Sequence, residues 1–98
     1  MIPKYFDLMG HAIEVRQVKV PPGIKDEIDS HATWQKDKQL ITINVFGQSE
    51  TLLHHTYLHE VTHAILDAMG KEDLSKDEEF VDMFSGLLHQ VLTTGRDE

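Results

Sequence analysis

Residues 51–70, T-L-L-H-H-T-Y-L-H-E-V-T-H-A-I-L-D-A-M-G, contain the segment His59-Glu60-Val61-Thr62-His63 inside a helical pattern. An α-helix advances about 100° per residue, so His59 and His63 project from one face with their Cβ atoms roughly 6 Å apart. Two imidazoles at that separation can bind one ion. The spacing therefore predicts a helix that carries half of a metal site.

The ends of this helix are marked by local signals. Ser49 is a suitable N-cap for a helix that begins near Glu50, and Gly70 is a suitable C′ residue after its last turn. We expect the helix to bury one stripe on the side away from the two histidines. That predicted core stripe consists of Leu58, Val61, Ile65 and Ala68.

The residue types of the segment favour zinc. Zinc binds imidazole nitrogen at about 2.0 to 2.1 Å, and a catalytic site uses three protein ligands and leaves a fourth position for water. Glu60 points about 100° round the helix from His59, where a carboxylate can act as a general base on that water. The alternative is a helix whose histidines lie at the surface or form hydrogen bonds in the core.

Composition limits the remaining choices. The chain has 98 residues, which suits one domain over residues 1–98, and it has no cysteine, so a metal must be bound by histidine and carboxylate. No segment approaches the ~20 apolar residues of a membrane span, and a reducing cytosol is the default compartment, so we predict a cytoplasmic protein. A net charge of -8 disfavours nucleic acid and anionic lipid as partners.

The first half of the chain favours strands. We predict a strand over Ala12–Val20 with a bulge at Gln17, and a hairpin in which Ala32–Gln35 pairs with Gln39–Val45. Ile24–Ser30 is compatible with a short helix or an exposed loop. Trp34 is assigned a packing role.

A second helix is predicted over Lys76–Leu92, after a polar connection. Ser75 and Glu78 match a capping box, which places Ser75 at the N-cap. The apolar residues of this helix form a predicted buried stripe with Phe84 at its centre. They are Phe80, Val81, Phe84, Leu87, Leu88 and Val91.

The third metal ligand must come from an element that faces the first helix. On the second helix, phase slightly favours Glu78 over Glu79, and His89 ranks third. The capping box gives Glu78 a competing structural role. His55 shares the face of the histidine pair but lies about 12 Å along the axis from His63, too far for one tetrahedral ion.

Residues 51–70, followed by D-E-E-F-V-D-M-F-S-G-L-L-H-Q-V-L at 77–92, resemble the small phage and bacterial zincin-like metallopeptidases. The resemblance covers a little under half of the chain. It implies an α+β fold in which a short antiparallel or mixed sheet packs on the H-E-x-x-H helix and a C-terminal helix. It also implies gluzincin-type ligation of Zn²⁺ by His59, His63 and Glu78. Glu78 follows His63 by 15 residues, closer than in the large members of that class.

The predicted function is therefore a zinc metallopeptidase that acts on a peptide or protein substrate, with Glu60 as general base. Because the chain is short, a protein partner could complete its cleft. Two rivals stay open: a zincin-like metal-binding or interaction module without turnover, and a helix-packing adaptor without metal. No residue is assigned to oxyanion stabilisation, since Tyr57 lies about 160° from His59 on the same helix.

Overall fold

The computed structural model describes residues 2–21 and 31–97. Within these ranges the chain forms four strands and three helices, so the fold is α+β, as predicted. Ile24–Ser30, for which a helix or a loop was expected, lies outside the described residues. The elements in chain order are β1 (Tyr5–Leu8), β2 (His11–Val18), β3 (Ala32–Gln35), β4 (Leu40–Asn44), α1 (Glu50–Ala68), α2 (Glu72–Ser75) and α3 (Glu78–Thr94).

The strands form one mixed sheet in the order β1-β2-β4-β3, with β2 and β4 parallel and both outer pairs antiparallel. Met9 and Gly10 have φ of 54° and 80°, the left-handed pair that a two-residue hairpin turn requires between β1 and β2. The predicted hairpin of β3 and β4 is confirmed. This order places β3 at one edge of the sheet.

The strand β2 is shorter than expected at its carboxyl end. Its pairing with β4 is continuous from Glu14 to Val18, so the predicted bulge at Gln17 is wrong. At Val20 the hydrogen bonds come from the Asn44 side chain instead of from a strand backbone. The Asn44 Oδ1 accepts from the Val20 amide at 3.0 Å, and the Asn44 Nδ2 donates to the Val20 carbonyl at 3.1 Å. The regular strand ends where this side chain takes over.

The core lies between one face of the sheet and α1. Leu53, Tyr57 and Val61 of α1 pack on the buried strand residues. Full burial of an aliphatic side chain, as at Ile41 and Ile43 beneath them, is worth about 1.5–3 kcal/mol, so this layer is a main source of hydrophobic stabilisation. The buried residues of the sheet are Ile13, Val15, Ala32, Ile41 and Ile43.

The burial of α1 differs from the predicted single stripe. Leu58, Val61, Ile65 and Ala68 are only half-buried. The helix is covered on two sides, by the sheet and by α3, so no one stripe holds its buried residues. Those residues are Glu60, Thr62, Ala64 and Leu66.

Both predicted ends of α1 are confirmed. The Ser49 Oγ accepts from the Leu52 amide at 3.2 Å. At the other end Gly70 has φ of 74°, its amide donates to the Asp67 carbonyl, and the Lys71 amide donates to the Leu66 carbonyl. This pair of bonds is the Schellman arrangement that glycine at C′ favours.

The start of α3 corrects the predicted capping box. Asp77 is the N-cap, and its Oδ1 accepts from the Phe80 amide at 3.1 Å. Ser75 is instead the last residue of α2, a short helix within the predicted polar connection. The Glu78 side chain therefore has no capping role at the start of α3.

The buried face of α3 also differs from the prediction. Val81 and Ser85 are fully buried against the rest of the protein, whereas Phe84, the predicted centre of the stripe, is 46% exposed. The small Ser85 side chain lets α3 approach α1 closely, which turns the larger side chains outward. None of the helices in the described ranges is long and apolar enough to cross a membrane.

Candidate metal centre

Three side chains from α1 and α3 converge on one point. His59, His63 and Glu78 each offer one ligating atom, and the three atoms lie within 4.8 Å of one another. The Glu78 Oε2 is 3.7 Å from the His59 Nε2 and 3.5 Å from the His63 Nε2. Ligand atoms at 2.0–2.1 Å from a tetrahedral zinc ion are about 3.3 Å apart, which is close to the two distances from Glu78, and two imidazoles with one carboxylate are a donor set that suits Zn²⁺.

The helices position these side chains for separate reasons. His59 and His63 are one turn apart on α1, and their ring centroids are 5.0 Å apart. Glu78 opens α3, where the Asp77 cap leaves the Glu78 side chain free to turn towards the histidines. With its side chain 64% exposed, Glu78 lies at the open side of the cluster.

The second nitrogen of each histidine has its own partner. The His59 Nδ1 lies 2.9 Å from Asp82 Oδ1, and the His63 Nδ1 lies 3.0 Å from Ser75 Oγ. The Asp82 carboxylate favours the His59 tautomer with the proton on Nδ1, which leaves the His59 Nε2 lone pair facing Glu78, whereas the Ser75 hydroxyl can either accept from or donate to the His63 Nδ1. The two partners differ in charge, because one is a carboxylate and the other a hydroxyl.

Sequence reasoning missed both partners. Asp82 follows Glu78 by four residues, so the spacing along α3 already placed their carboxylates on one face, and this signal was available. Ser75 carried no such signal. Its role depends on the turn between α2 and α3, which directs a nearly buried hydroxyl to His63.

Glu60 is the most buried carboxylate among the described residues. It is 8% exposed, and burial, with a smaller contribution from the negative charge of Glu78, raises its pKa from 4.5 to about 7. A carboxyl group with that pKa can accept and release a proton near neutral pH. A bound cation nearby would favour the carboxylate and lower this pKa.

Glu60 and the three converging side chains line one open cleft of about 770 Å³. Its opposite wall comes from the edge strand β3, whose Trp34 is held by a 2.8 Å hydrogen bond from Nε1 to Asp67 Oδ2. Trp34 therefore has the predicted packing role and also borders the cleft. The remaining lining residues are His31, Ala32, Thr33, His55 and Thr56.

The other predicted candidates lie outside the cluster. Glu79 is exposed and does not join it. His89 is half-buried, and its ring stacks on His55 with centroids 5.8 Å apart. Tyr57 lies on the side of α1 that faces the sheet, where it packs edge-on against Phe6. Burial there raises the pKa of Tyr57.

Comparisons of the chain with protein-family models, with curated proteins and with solved structures find no match.

Proposed function

We propose that the protein is a zinc metallopeptidase in which His59, His63 and Glu78 hold Zn²⁺ and Glu60 is the general base. The observation that carries the proposal is the convergence of the three donor atoms in a cleft that also contains a buried carboxyl group. Bound Zn²⁺ supplies Lewis acidity and lowers the pKa of a water molecule towards ~7.

Glu60 supplies the proton transfer that peptide hydrolysis needs. Its carboxylate accepts a proton from the attacking water as the water oxygen bonds to the scissile carbonyl carbon. The same proton then passes to the leaving amine nitrogen as the C–N bond breaks, which yields an acid and an amine. The pKa of Glu60 is about 7 in the metal-free protein, and a bound cation would lower it, so the carboxylate is the form that would accept the proton from water.

The cleft favours an extended peptide as substrate. Its wall strand β3 lies at the edge of the sheet. An extended chain can pair with such an edge. The small size of the domain leaves few further surfaces for substrate, so a protein partner that completes the cleft is part of the proposal.

The test uses Glu60→Gln, which keeps the size of the side chain and removes the base. The zinc-loaded protein and the variant are incubated with a mixture of unstructured peptides, and new termini are identified by mass spectrometry. We expect cleavage by the wild type and a loss of at least about a hundredfold in the variant, at equal zinc content. Glu50→Gln, the same change at an exposed position that does not line the cleft, is the matched control and should leave cleavage unchanged.

The rival is a metal-binding module without turnover. It predicts one zinc per chain and no new peptide termini in either protein. Equal cleavage by wild type and Glu60→Gln would instead contradict the assigned base.

A further inference from the structure

A second cavity, of about 340 Å³, lies beside the last two turns of α1. This volume falls in the range of roughly 300–1,000 Å³ that is usual for ligand pockets. The β1–β2 hairpin and α1 supply its apolar walls, and Trp34 of β3 supplies an aromatic one. The apolar residues are Leu8, Met9, Ile13, Ala64 and Ala68.

Among the described residues, one carboxylate lines this cavity, that of Asp67. Asp67 is half-buried, and its Oδ2 accepts a 2.8 Å hydrogen bond from the Trp34 Nε1. Within residues 2–21 and 31–97 its Oδ1 has no hydrogen-bond donor and no ion-pair partner. A half-buried carboxylate with one oxygen unused favours a cationic donor, because charge-assisted hydrogen bonds are the strong ones.

Lys36 also lines the cavity, but its ammonium group is paired elsewhere. The Lys36 Nζ lies 3.1 Å from the Glu72 Oε1, and the Lys36 side chain is 59% exposed. The hydrogen bond and the charge of Glu72 raise the pKa of Lys36, and Asp67 adds a smaller contribution. Because Lys36 and Glu72 neutralise each other at the rim, the negative charge of Asp67 is left to attract a ligand.

The cavity adjoins the cleft of the candidate metal centre. Asp67 follows His63 by one turn of α1, which is about 6 Å along the helix axis. Trp34 borders both the cleft and the cavity. An extended peptide advances about 3.3 Å per residue. A peptide with one bond at the metal centre therefore reaches this cavity with a side chain within about two residues of that bond.

We propose that the cavity binds a lysine or arginine side chain of the peptide substrate, within two residues of the bond that is cleaved. This inference rests on the proposed function, and it names the substrate class. The apolar walls contact the methylene stem of such a side chain, and the Trp34 indole attracts its cationic end. The Asp67 Oδ1 accepts a hydrogen bond from that end.

The same contacts disfavour other side chains. A purely apolar side chain would cover the Asp67 Oδ1 without giving it a donor, which costs free energy. An acidic side chain would place a second carboxylate beside Asp67. The net charge of the chain, -8, also attracts basic peptides and repels acidic ones.

Binding can be measured without cleavage, because Trp34 is the only tryptophan of the chain and its fluorescence reports on the cavity. The purified protein is titrated with N-acetyl-lysine amide and, separately, with N-acetyl-norleucine amide, which has the same stem without the ammonium group. We expect a saturable change with the lysine compound and a dissociation constant on the order of 1 mM. The norleucine compound should bind at least about tenfold more weakly.

Asp67→Asn keeps an oxygen that can accept from the Trp34 Nε1 and removes the charge. It should weaken binding of the lysine compound at least about tenfold. Asp37→Asn, the same change at an exposed position in the neighbouring turn that does not line the cavity, should bind like the wild type. Circular dichroism checks the fold of both variants. If Asp67→Asn does not fold, the two compounds still decide the matter on the wild type.

Cleavage then tests the assignment to the substrate. With the zinc-loaded protein and a mixture of unstructured peptides, lysine or arginine should be enriched within two residues of the new termini. Asp67→Asn should still cleave but lose this enrichment. Cleavage without enrichment, together with equal binding of the two compounds, would overturn the inference and leave the proposed function standing. Preferential binding of the lysine compound without cleavage of any peptide would overturn the proposed function and leave the ligand class of the cavity standing.

Discussion

The helix α1 has two packed faces of opposite character. Its face on the sheet is apolar and meets fully buried residues such as Ile41 and Ile43. Its face on α3 carries His55, His59 and His63, which contact the His89 imidazole, the Asp82 carboxylate and the Ser75 hydroxyl, respectively. The first face stabilises the fold by burying apolar side chains, and the second brings together the polar side chains of the candidate site.

The largest effect should come from the apolar face. Ile41→Ala removes a fully buried side chain next to α1, and we expect it to lower the free energy of unfolding by about 2–5 kcal/mol. Urea denaturation of the metal-free protein measures the change. Leu52→Ala, at a partly exposed position in the first turn of α1, is the control and should cost less than about 1 kcal/mol. Equal losses in both variants would contradict the division into two faces.

The next effect is a dependence of the free energy of unfolding on pH, which arises from Glu60. Its pKa is raised from 4.5 to about 7 in the folded protein, so folding favours the protonated form. This contribution to stability is fully present below pH 4.5 and is lost as the pH rises through about 7. At about 1.4 kcal/mol per pKa unit, the loss is about 3 kcal/mol.

Glu60→Gln tests this dependence in the metal-free protein. Urea denaturation at several pH values should show a wild type that loses stability, relative to the variant, as the pH rises from about 4.5 to 8. Parallel pH profiles for the two proteins would show that Glu60 is not the titrating group.

A smaller effect, on zinc affinity, should differ between Asp82 and Ser75, which contact His59 and His63. Asp82→Asn keeps the shape of the side chain that contacts His59 but removes its charge, and we expect zinc affinity to fall about 10- to 100-fold. Ser75→Ala removes a neutral partner of His63, and we expect it to lower zinc affinity less, by about tenfold. Competition with a chromophoric chelator measures both affinities. A larger loss for Ser75→Ala would reverse the ranking.

Local signals predicted α1 well, because Ser49 and Gly70 act on their own turns whatever the tertiary structure. The same kind of signal failed at Ser75, where Asp77 competes as an N-cap and the serine hydroxyl instead contacts His63. The pattern of α3 showed an apolar arc but not which part of it packs on α1. Phe84 was therefore placed inside, whereas the small Ser85 takes that position.

The convergence of the candidate site was predictable in part. The histidine pair and Glu60 follow from helix periodicity alone, and helical phase favoured Glu78 by a small margin. The contribution of β3 to the cleft depends on a sheet order with a parallel β2–β4 pair, which no pattern in the sequence indicates. Long-range pairing of this kind is set by the whole core rather than by one segment.

The central claim is that α1 and α3 together form a zinc site. The most direct measurement is the zinc content per chain, by elemental analysis after reconstitution and removal of free metal, for the wild type, Glu78→Ala and Glu79→Ala. The account predicts one zinc per chain in the wild type and in Glu79→Ala, and a loss of tightly bound zinc in Glu78→Ala. A wild type that binds no zinc, or a Glu78→Ala variant that keeps it with unchanged affinity, would contradict the account.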